Sequence, residues 1–212
     1  MNLLIEFGPQ FMALLLAAFQ LNKLSLAYKF IFLQLNLTIV TDTLALWFKF
    51  QFNSSEAIYN IYVVLEMVLL SCVIFNSIEN IKFKNLIKYT IGAFVPISII
   101  SFMIGDIQEL NYPILIFAFI STAFFNLYFI IHPNTEKSLI RNPMVIVAIG
   151  HVIYFLGVTP YFVGRHLLIE SYPEIANLLF SYINISLAAI RYLCVSAAFG
   201  ILLMNNKRIN LA

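Results

Sequence analysis

Seven apolar stretches, each about as long as a bilayer is thick, run through this chain from end to end. An α-helix needs roughly 20 apolar residues to cross about 30 Å of hydrocarbon. Because 62% of the residues are hydrophobic and only 10% are charged, the chain has too little polar surface to cover a soluble globule. We therefore expect an all-α integral membrane bundle in which the 212 residues form a single seven-helix domain.

Short loops with helix-breaking residues separate the apolar stretches, so consecutive helices are expected to pack antiparallel. Two prolines, Pro96 and Pro160, fall inside predicted helices, where proline removes a backbone donor and favours a kink. The last helix is longer than a bilayer requires. The seven helices are predicted at Leu3–Leu21, Tyr28–Phe50, Ala57–Ile78, Leu86–Ile104, Tyr112–His132, Pro143–Val163 and Glu174–Met204.

The basic residues are divided unevenly between the two sides of the predicted bundle. On the side of the second, fourth and sixth loops, the only basic residues are Lys49 and Arg165. Cytoplasmic loops carry an excess of Lys and Arg, so the N-terminus is expected outside and the C-terminus inside. A signal peptide would begin with a basic region, which Met1 to Ile5 lack, so the first stretch is expected to stay as a helix. The nine basic residues of the inner side are Lys23, Lys29, Lys82, Lys84, Lys88, Lys137, Arg141, Lys207 and Arg208.

Four ionisable residues are predicted deep inside the membrane, where they are costly and usually face the bundle interior. They are Asp42, Glu66, His151 and Arg191. We predict that Arg191 pairs with Glu66 or Asp42, since a bidentate Arg–carboxylate pair tolerates a dry site. The ligand-binding or ion-pair site hypothesised from helix faces and depth comprises Asp42, Glu66, Arg191, His151, Tyr62, Asn184 and Tyr161.

The polar face of the last helix also has a purely structural interpretation. Asn177, Ser181, Asn184 and Arg191 follow steps of four and three, which place them along one face. Small and polar residues of this kind also hold membrane helices together without binding anything. A buried histidine such as His151 is likewise often a structural, hydrogen-bonded residue. The sequence alone leaves both interpretations open.

No motif in the sequence indicates catalysis, so no catalytic residue is assigned. The three histidines form no HxxxH or HExxH pair, and the two cysteines, Cys72 and Cys194, lie in apolar stretches as small hydrophobes. We expect neither a metal nor a cofactor. The net charge of +2 is too small to indicate a nucleic-acid partner. The frequent use of Ile, Leu, Phe, Asn, Lys and Tyr indicates an AT-rich genome, and hence a multi-pass protein of a bacterial inner membrane.

Two passages resemble a known group of membrane proteins. One runs from Tyr59 to Glu66 with the sequence YNIYVVLE, and the other runs from Ile149 to Phe155. Together with the chain length and the seven-helix layout, they are similar to small uncharacterised seven-helix membrane proteins of Bacteroidota, some encoded beside sensor histidine kinases. The resemblance implies a signalling role, and it offers no established catalytic residues to carry over to this chain. It is extended in the last helix by Asn184, Arg191, Tyr192 and Phe199.

Three functions follow from these patterns. The first is a sensory or receptor-like protein that binds a small ligand among the polar intramembrane residues and acts on a membrane signalling partner at the cytoplasmic side. The second is a transporter of a small polar solute, proton-coupled through its buried carboxylates and histidine. The third is an intramembrane enzyme acting on lipid, with Asp42 and Glu66 as an acid–base pair.

Overall fold

A computed structural model describes residues 3–132 and 142–209 of the chain, and within these ranges it contains helices and no strand. The prediction of an all-α fold is therefore confirmed. A short 3₁₀ helix, Leu21–Lys23, follows the first α-helix. The α-helices are α1 Leu3–Ala18, α2 Leu26–Phe52, α3 Glu56–Ser77, α4 Ile81–Ile104, α5 Tyr112–Ile131, α6 Pro143–Ser171 and α7 Pro173–Ile209.

In the described part of the chain, six helices, α2 to α7, are long and apolar enough to cross a membrane. The first helix has 16 residues, or about 24 Å at 1.5 Å per residue, which is less than the hydrocarbon thickness. Large apolar side chains remain exposed, among them Phe50 at 91% and Ile104 at 84%. A surface of this kind suits lipid as the solvent. The chain is a polytopic membrane protein by helix length and composition, while the seventh span and the orientation stay predictions.

An aromatic cluster marks the C-terminal end of α2. The ring centroid of Phe48 lies 5.2 Å from those of both Trp47 and Phe52. Asn53 then ends the helix in the left-handed conformation, with φ 58°, which asparagine tolerates better than most residues. Tryptophan and tyrosine collect at membrane–water interfaces, so this cluster fits an end of a span at the headgroup level.

Helices α6 and α7 extend beyond their predicted ends, Val163 and Met204. Consequently Arg165 and His166, which were predicted in an outer loop, lie within α6. Polar residues end an apolar stretch without ending a helix, because a helix can continue into the headgroup region. The break comes at Tyr172, whose backbone is not helical, since the following proline disfavours the helical conformation before it and starts the next helix well.

In the described part of the chain, three prolines lie inside helices beyond the first turn: Pro96 in α4, Pro160 in α6 and Pro9 in α1. The first two confirm the prediction. Pro9 was not predicted, and its carbonyl oxygen accepts a hydrogen bond from Ser196 Oγ of α7 at 3.1 Å. This bond ties the two helices together.

The chain divides into two compact units. The terminal unit comprises residues 1–24 and 122–212, and thus α1, α6, α7 and the end of α5 in its described part. The central unit comprises residues 25–121, with α2, α3, α4 and the start of α5. Each unit contains polar residues from the predicted site.

In the terminal unit, α6 packs closely on α7 through two glycines. A Cβ atom on Gly150 would lie 2.7 Å from the Cβ atom of Cys194 and 3.2 Å from the carbonyl oxygen of Arg191. A Cβ atom on Gly157 would lie 2.7 Å from Leu187 Cδ1. Close approach of this kind is typical of membrane helices that pack through small residues.

In the central unit, Asn60 of α3 holds the connection between α4 and α5. Its Nδ2 donates to the carbonyl oxygens of Ile107 at 2.9 Å and Glu109 at 2.8 Å. Its Oδ1 accepts from the backbone N–H of Asn111 at 2.9 Å. The Asn111 side chain in turn donates to Ser101 Oγ at 2.7 Å and caps α5. One buried amide therefore satisfies three backbone groups of a loop.

Candidate functional site

The strongest polar cluster in the central unit surrounds the carboxylate of Glu66. This side chain is only 3% exposed. Its Oε1 accepts a hydrogen bond from Gln34 Nε2 at 3.0 Å and another from the hydroxyl of Tyr62 at 2.7 Å. Bonds to an ionised acceptor are shorter and stronger than neutral ones. Gln34 and Tyr62 therefore hold the Glu66 carboxylate at the contact between α2 and α3.

Helix periodicity brings these residues together. Tyr62 and Glu66 are one turn apart on α3, and Gln34 and Thr38 are one turn apart on α2. The Thr38 hydroxyl accepts a hydrogen bond from Gln34 Nε2 at 3.0 Å. It also lies 3.0 Å from the backbone carbonyl oxygen of Gln34, to which it can donate, and 3.0 Å from the Tyr62 hydroxyl. Because Tyr62 gives its single proton to Glu66, Thr38 has one proton for two acceptors. The cluster thus accommodates more than one proton arrangement.

One acceptor of this cluster is unsatisfied. Gln34 is 1% exposed, and its Oε1 makes no hydrogen bond with any described residue. A buried acceptor without a donor costs about 1–3 kcal/mol. Beside a carboxylate, it adds to the capacity of the cluster to accept hydrogen bonds from something that enters it.

The sequence predicted Tyr62 and Glu66 as site residues, whereas Gln34 and Thr38 were recognised only as neighbours of Asp42 on one face of α2 and were not included in the site. The signal was present, since polar residues recur every four positions from Gln34 through Thr38 to Asp42 on an apolar helix. Asp42 is half-buried one turn beyond Thr38. The side chain of Glu66 could not be assigned a partner on α2 without knowing how the two helices are rotated.

In the terminal unit, the guanidinium of Arg191 lies among aromatic rings. Its Cζ is 5.0 Å from the ring centroids of both Tyr154 and Phe155 and 5.5 Å from that of Tyr192. The side chain is 2% exposed. A desolvated cation–π contact is worth about 2 kcal/mol, so three rings help to offset the cost of burying this charge.

His151 and Asn184 belong to the same surroundings. The imidazole of His151 stacks on Phe155 with centroids 6.2 Å apart, and neither of its ring nitrogens makes a hydrogen bond of good geometry with the described residues. Asn184 Oδ1 accepts from the Tyr154 hydroxyl at 3.0 Å. The structure therefore groups His151, Asn184 and Arg191 around the rings of α6.

Tyr161, the remaining predicted site residue, lies two turns beyond Tyr154 on α6 and has other neighbours. Its hydroxyl donates to the carbonyl oxygen of Ala176 at 3.1 Å, and its ring packs on Phe162 and Phe180. These contacts are those of a packing residue between α6 and α7.

The predicted set is thus divided between the two units: the central unit holds Asp42, Tyr62 and Glu66, and the terminal unit holds His151, Asn184 and Arg191 around the rings of α6, with Tyr161 apart from them. The pairing of Arg191 with Glu66 or Asp42 joins residues of different units and stays a prediction. The side chains of Asn177 and Ser181 lie outside the described residues, as do Lys137 and Arg141. Cys72 and Cys194 are half-buried free thiols. Among the described residues, no three His, Cys, Asp or Glu side chains are grouped as metal ligands.

Comparison with known proteins adds no family to this description. The chain matches no protein-family model, no curated protein and no solved structure. The resemblance to seven-helix proteins of Bacteroidota therefore stays an expectation from two sequence passages.

Proposed function

We propose that this chain is a sensory or receptor-like membrane protein that binds a small ligand at the Glu66 cluster, defined as Gln34, Thr38, Tyr62 and Glu66. The observation that carries the proposal is the buried Glu66 carboxylate, oriented by two donors from two helices. An ionisable group inside a membrane protein commonly marks a ligand or ion path. The absence of any catalytic motif in the sequence favours binding over chemistry.

The chemistry of the cluster indicates which ligand it would take. Glu66 supplies negative charge, and Gln34 Oε1 supplies an acceptor that no described residue satisfies. Carboxylate and amide oxygens both accept hydrogen bonds and donate none. A small organic amine, which carries a positive charge and several N–H donors, matches both features.

The same helix offers a route from the ligand to the surface. Asn60 and Glu66 are six residues apart on α3, or about 9 Å along the helix axis. Asn60 holds the α4–α5 connection through three hydrogen bonds. A ligand that rotates or shifts α3 would therefore loosen or tighten that loop. At the other end of α3, the lysines in the first turns of α4 would face the proposed cytoplasmic signalling partner.

A transporter is the second candidate, and the prolines inside α4 and α6 favour it. Pro96 and Pro160 each remove one helical hydrogen bond, and such interruptions suit helices that change shape during transport. A buried carboxylate would then also serve as a proton site. Uptake of the bound solute into proteoliposomes would identify the transporter, while binding without uptake would identify the receptor.

The test is ligand-dependent stabilisation of the purified protein in nanodiscs, screened with a panel of small organic amines. A ligand at 100 times its Kd adds about 2.7 kcal/mol to the free energy of unfolding and raises Tm. We expect at least one amine to raise Tm in the wild type and in Glu79→Gln, an exposed carboxylate of the same unit, but not in Glu66→Gln. An equal rise in Glu66→Gln would place the ligand elsewhere and refute the proposal.

A further inference from the structure

Two lysines of α4 converge on one aromatic ring of α3. Lys84 Nζ lies 5.2 Å from the centroid of the Phe75 ring, and Lys88 Nζ lies 5.3 Å from the same centroid. The two lysines are four residues apart, so they lie on one face of their helix. A third lysine, Lys82, is exposed and contacts no ring in the described part of the chain. We propose that Lys84, Lys88 and Phe75 form a binding site for the phosphate group of an anionic phospholipid.

The site lies where a membrane surface must be. Helices α3 and α4 both have the length and composition of membrane spans, and only residues 78–80 connect them. Phe75 is two residues before the end of α3, while Lys84 and Lys88 are three and seven residues into α4. At 1.5 Å per residue, Lys84 lies about 5 Å and Lys88 about 10 Å from the start of α4. Both side chains can reach the headgroup region by extending toward the interface.

The charges around the ring favour an anion. Two like charges at this spacing on a helix repel each other by a few tenths of a kcal/mol. The ring holds both ammonium groups by cation–π attraction, and each keeps N–H donors free for another acceptor. Glu79 is the only acidic residue between Glu66 and Asp106, and its side chain is exposed. A phosphate between the two ammonium groups would supply the missing negative charge.

A lipid suits this site better than a soluble anion, because its acyl chains have a place beside it. Exposed apolar side chains flank the lysines on α4, with Ile81 at 73% and Tyr89 at 76% exposure. Clusters of lysines just outside a span attract anionic lipids, at roughly 1 kcal/mol for each lysine near the surface. The pair is thus expected to enrich anionic lipid at the site by roughly tenfold or more.

The test uses the full chain in nanodiscs with tryptophan as a local reporter. The sequence has one tryptophan, so Trp47→Phe combined with Phe75→Trp leaves a single indole at the site, and tryptophan binds cations at least as well as phenylalanine. Lipids brominated near the headgroup quench nearby indole fluorescence. We expect brominated phosphatidylglycerol to quench more strongly than brominated phosphatidylcholine at equal mole fraction. The difference should vanish in Lys84→Gln/Lys88→Gln, persist in Lys82→Gln and survive added inorganic phosphate.

Equal quenching by the two lipids would overturn the proposal, and so would an equal loss of the difference in Lys82→Gln. In the second case the lysines act only as a diffuse charge. A loss caused by inorganic phosphate would assign the site to a soluble anion instead. Should Phe75→Trp fold poorly, native mass spectrometry of the chain with Phe75 intact decides the matter. Phosphatidylglycerol should stay bound to the wild type and to Lys82→Gln, and it should be lost from Lys84→Gln/Lys88→Gln.

Discussion

At the scale of single residues, the Tyr62 hydroxyl has the most informative position, because it links the Glu66 carboxylate to Thr38. In Tyr62→Phe the ring remains and the carboxylate loses one donor. We expect the free energy of unfolding to fall by about 1.5–3 kcal/mol, as for other hydrogen bonds to charged groups. Denaturant titration in detergent measures it, with the exposed Tyr89→Phe as the matched control. If both variants have the same free energy of unfolding, the hydrogen bond from Tyr62 to Glu66 contributes nothing measurable to stability.

Asn60 permits a second prediction at this scale. Asn60→Ala removes the amide that holds three backbone groups of the α4–α5 connection. Backbone hydrogen exchange around residues 107–111 should rise by about tenfold, the equivalent of roughly 1.4 kcal/mol of local opening. Asn76→Ala on the same helix is the control, because its amide bonds only to the Cys72 carbonyl one turn before it. Unchanged exchange in Asn60→Ala would show that the loop holds its conformation without the amide.

At the scale of helices, Gly150 should tolerate a methyl group far less well than Gly157. The neighbour of Gly150 is the Cβ atom of Cys194, which cannot move without its backbone, whereas the neighbour of Gly157 is the end of the flexible Leu187 side chain. Overpacking costs about 1–3 kcal/mol when the backbone must shift. We therefore expect Gly150→Ala to lower the stability by about that amount and Gly157→Ala by less.

Gly164 supplies the control for this pair on the same helix. A Cβ atom there would meet nothing within 4 Å, so Gly164→Ala should leave stability unchanged or raise it by up to about 1 kcal/mol through helix propensity. Thermal unfolding of the three variants in one detergent gives the order. If Gly150→Ala were as stable as Gly164→Ala, α6 and α7 would be packed less closely at Gly150 than the 2.7 Å contact with Cys194 requires.

Most helices could be predicted because their signal is local. An apolar run of membrane length specifies a helix, and short loops specify its neighbours in the chain. Helix ends were harder, as α6 shows, because the headgroup region tolerates polar residues such as Arg165 inside a helix. The first helix was predicted to reach Leu21 but ends at Ala18, where the chain turns into the 3₁₀ segment Leu21–Lys23.

At the scale of the whole molecule, the site was harder to predict than the fold. Tyr62 and Glu66 could be predicted from their depth in the membrane and their position on one helix face, because both properties depend only on residue spacing within α3. Partners on another helix, such as Gln34 for Glu66, depend on how two helices are rotated about their axes, and many rotations satisfy the same hydrophobic pattern. The rings around Arg191 were not predicted as its neighbours for the same reason, since an aromatic residue in an apolar run resembles any other core residue.

The orientation of the chain in the bilayer concerns every helix at once. In a background with Cys72→Ala and Cys194→Ala, a single cysteine is placed at Ser54, in the α2–α3 connection, or at Glu79, in the α3–α4 connection. The excess of basic residues predicts Glu79 inside. An impermeant maleimide should therefore label Ser54→Cys in intact cells and label Glu79→Cys only after permeabilisation.

The number of spans is decided by the same experiment at the start of the chain. If α1 crosses the membrane, a cysteine at the exposed Asn22 lies inside with Glu79, and an N-terminal tag lies outside. A helix of about 24 Å can do this where flanking residues extend toward the interface or the bilayer thins locally. Labelling of Asn22→Cys from inside together with a tag accessible from inside would leave six spans. The N-terminus would then be on the inner side, and α1 would be an interfacial or buried helix.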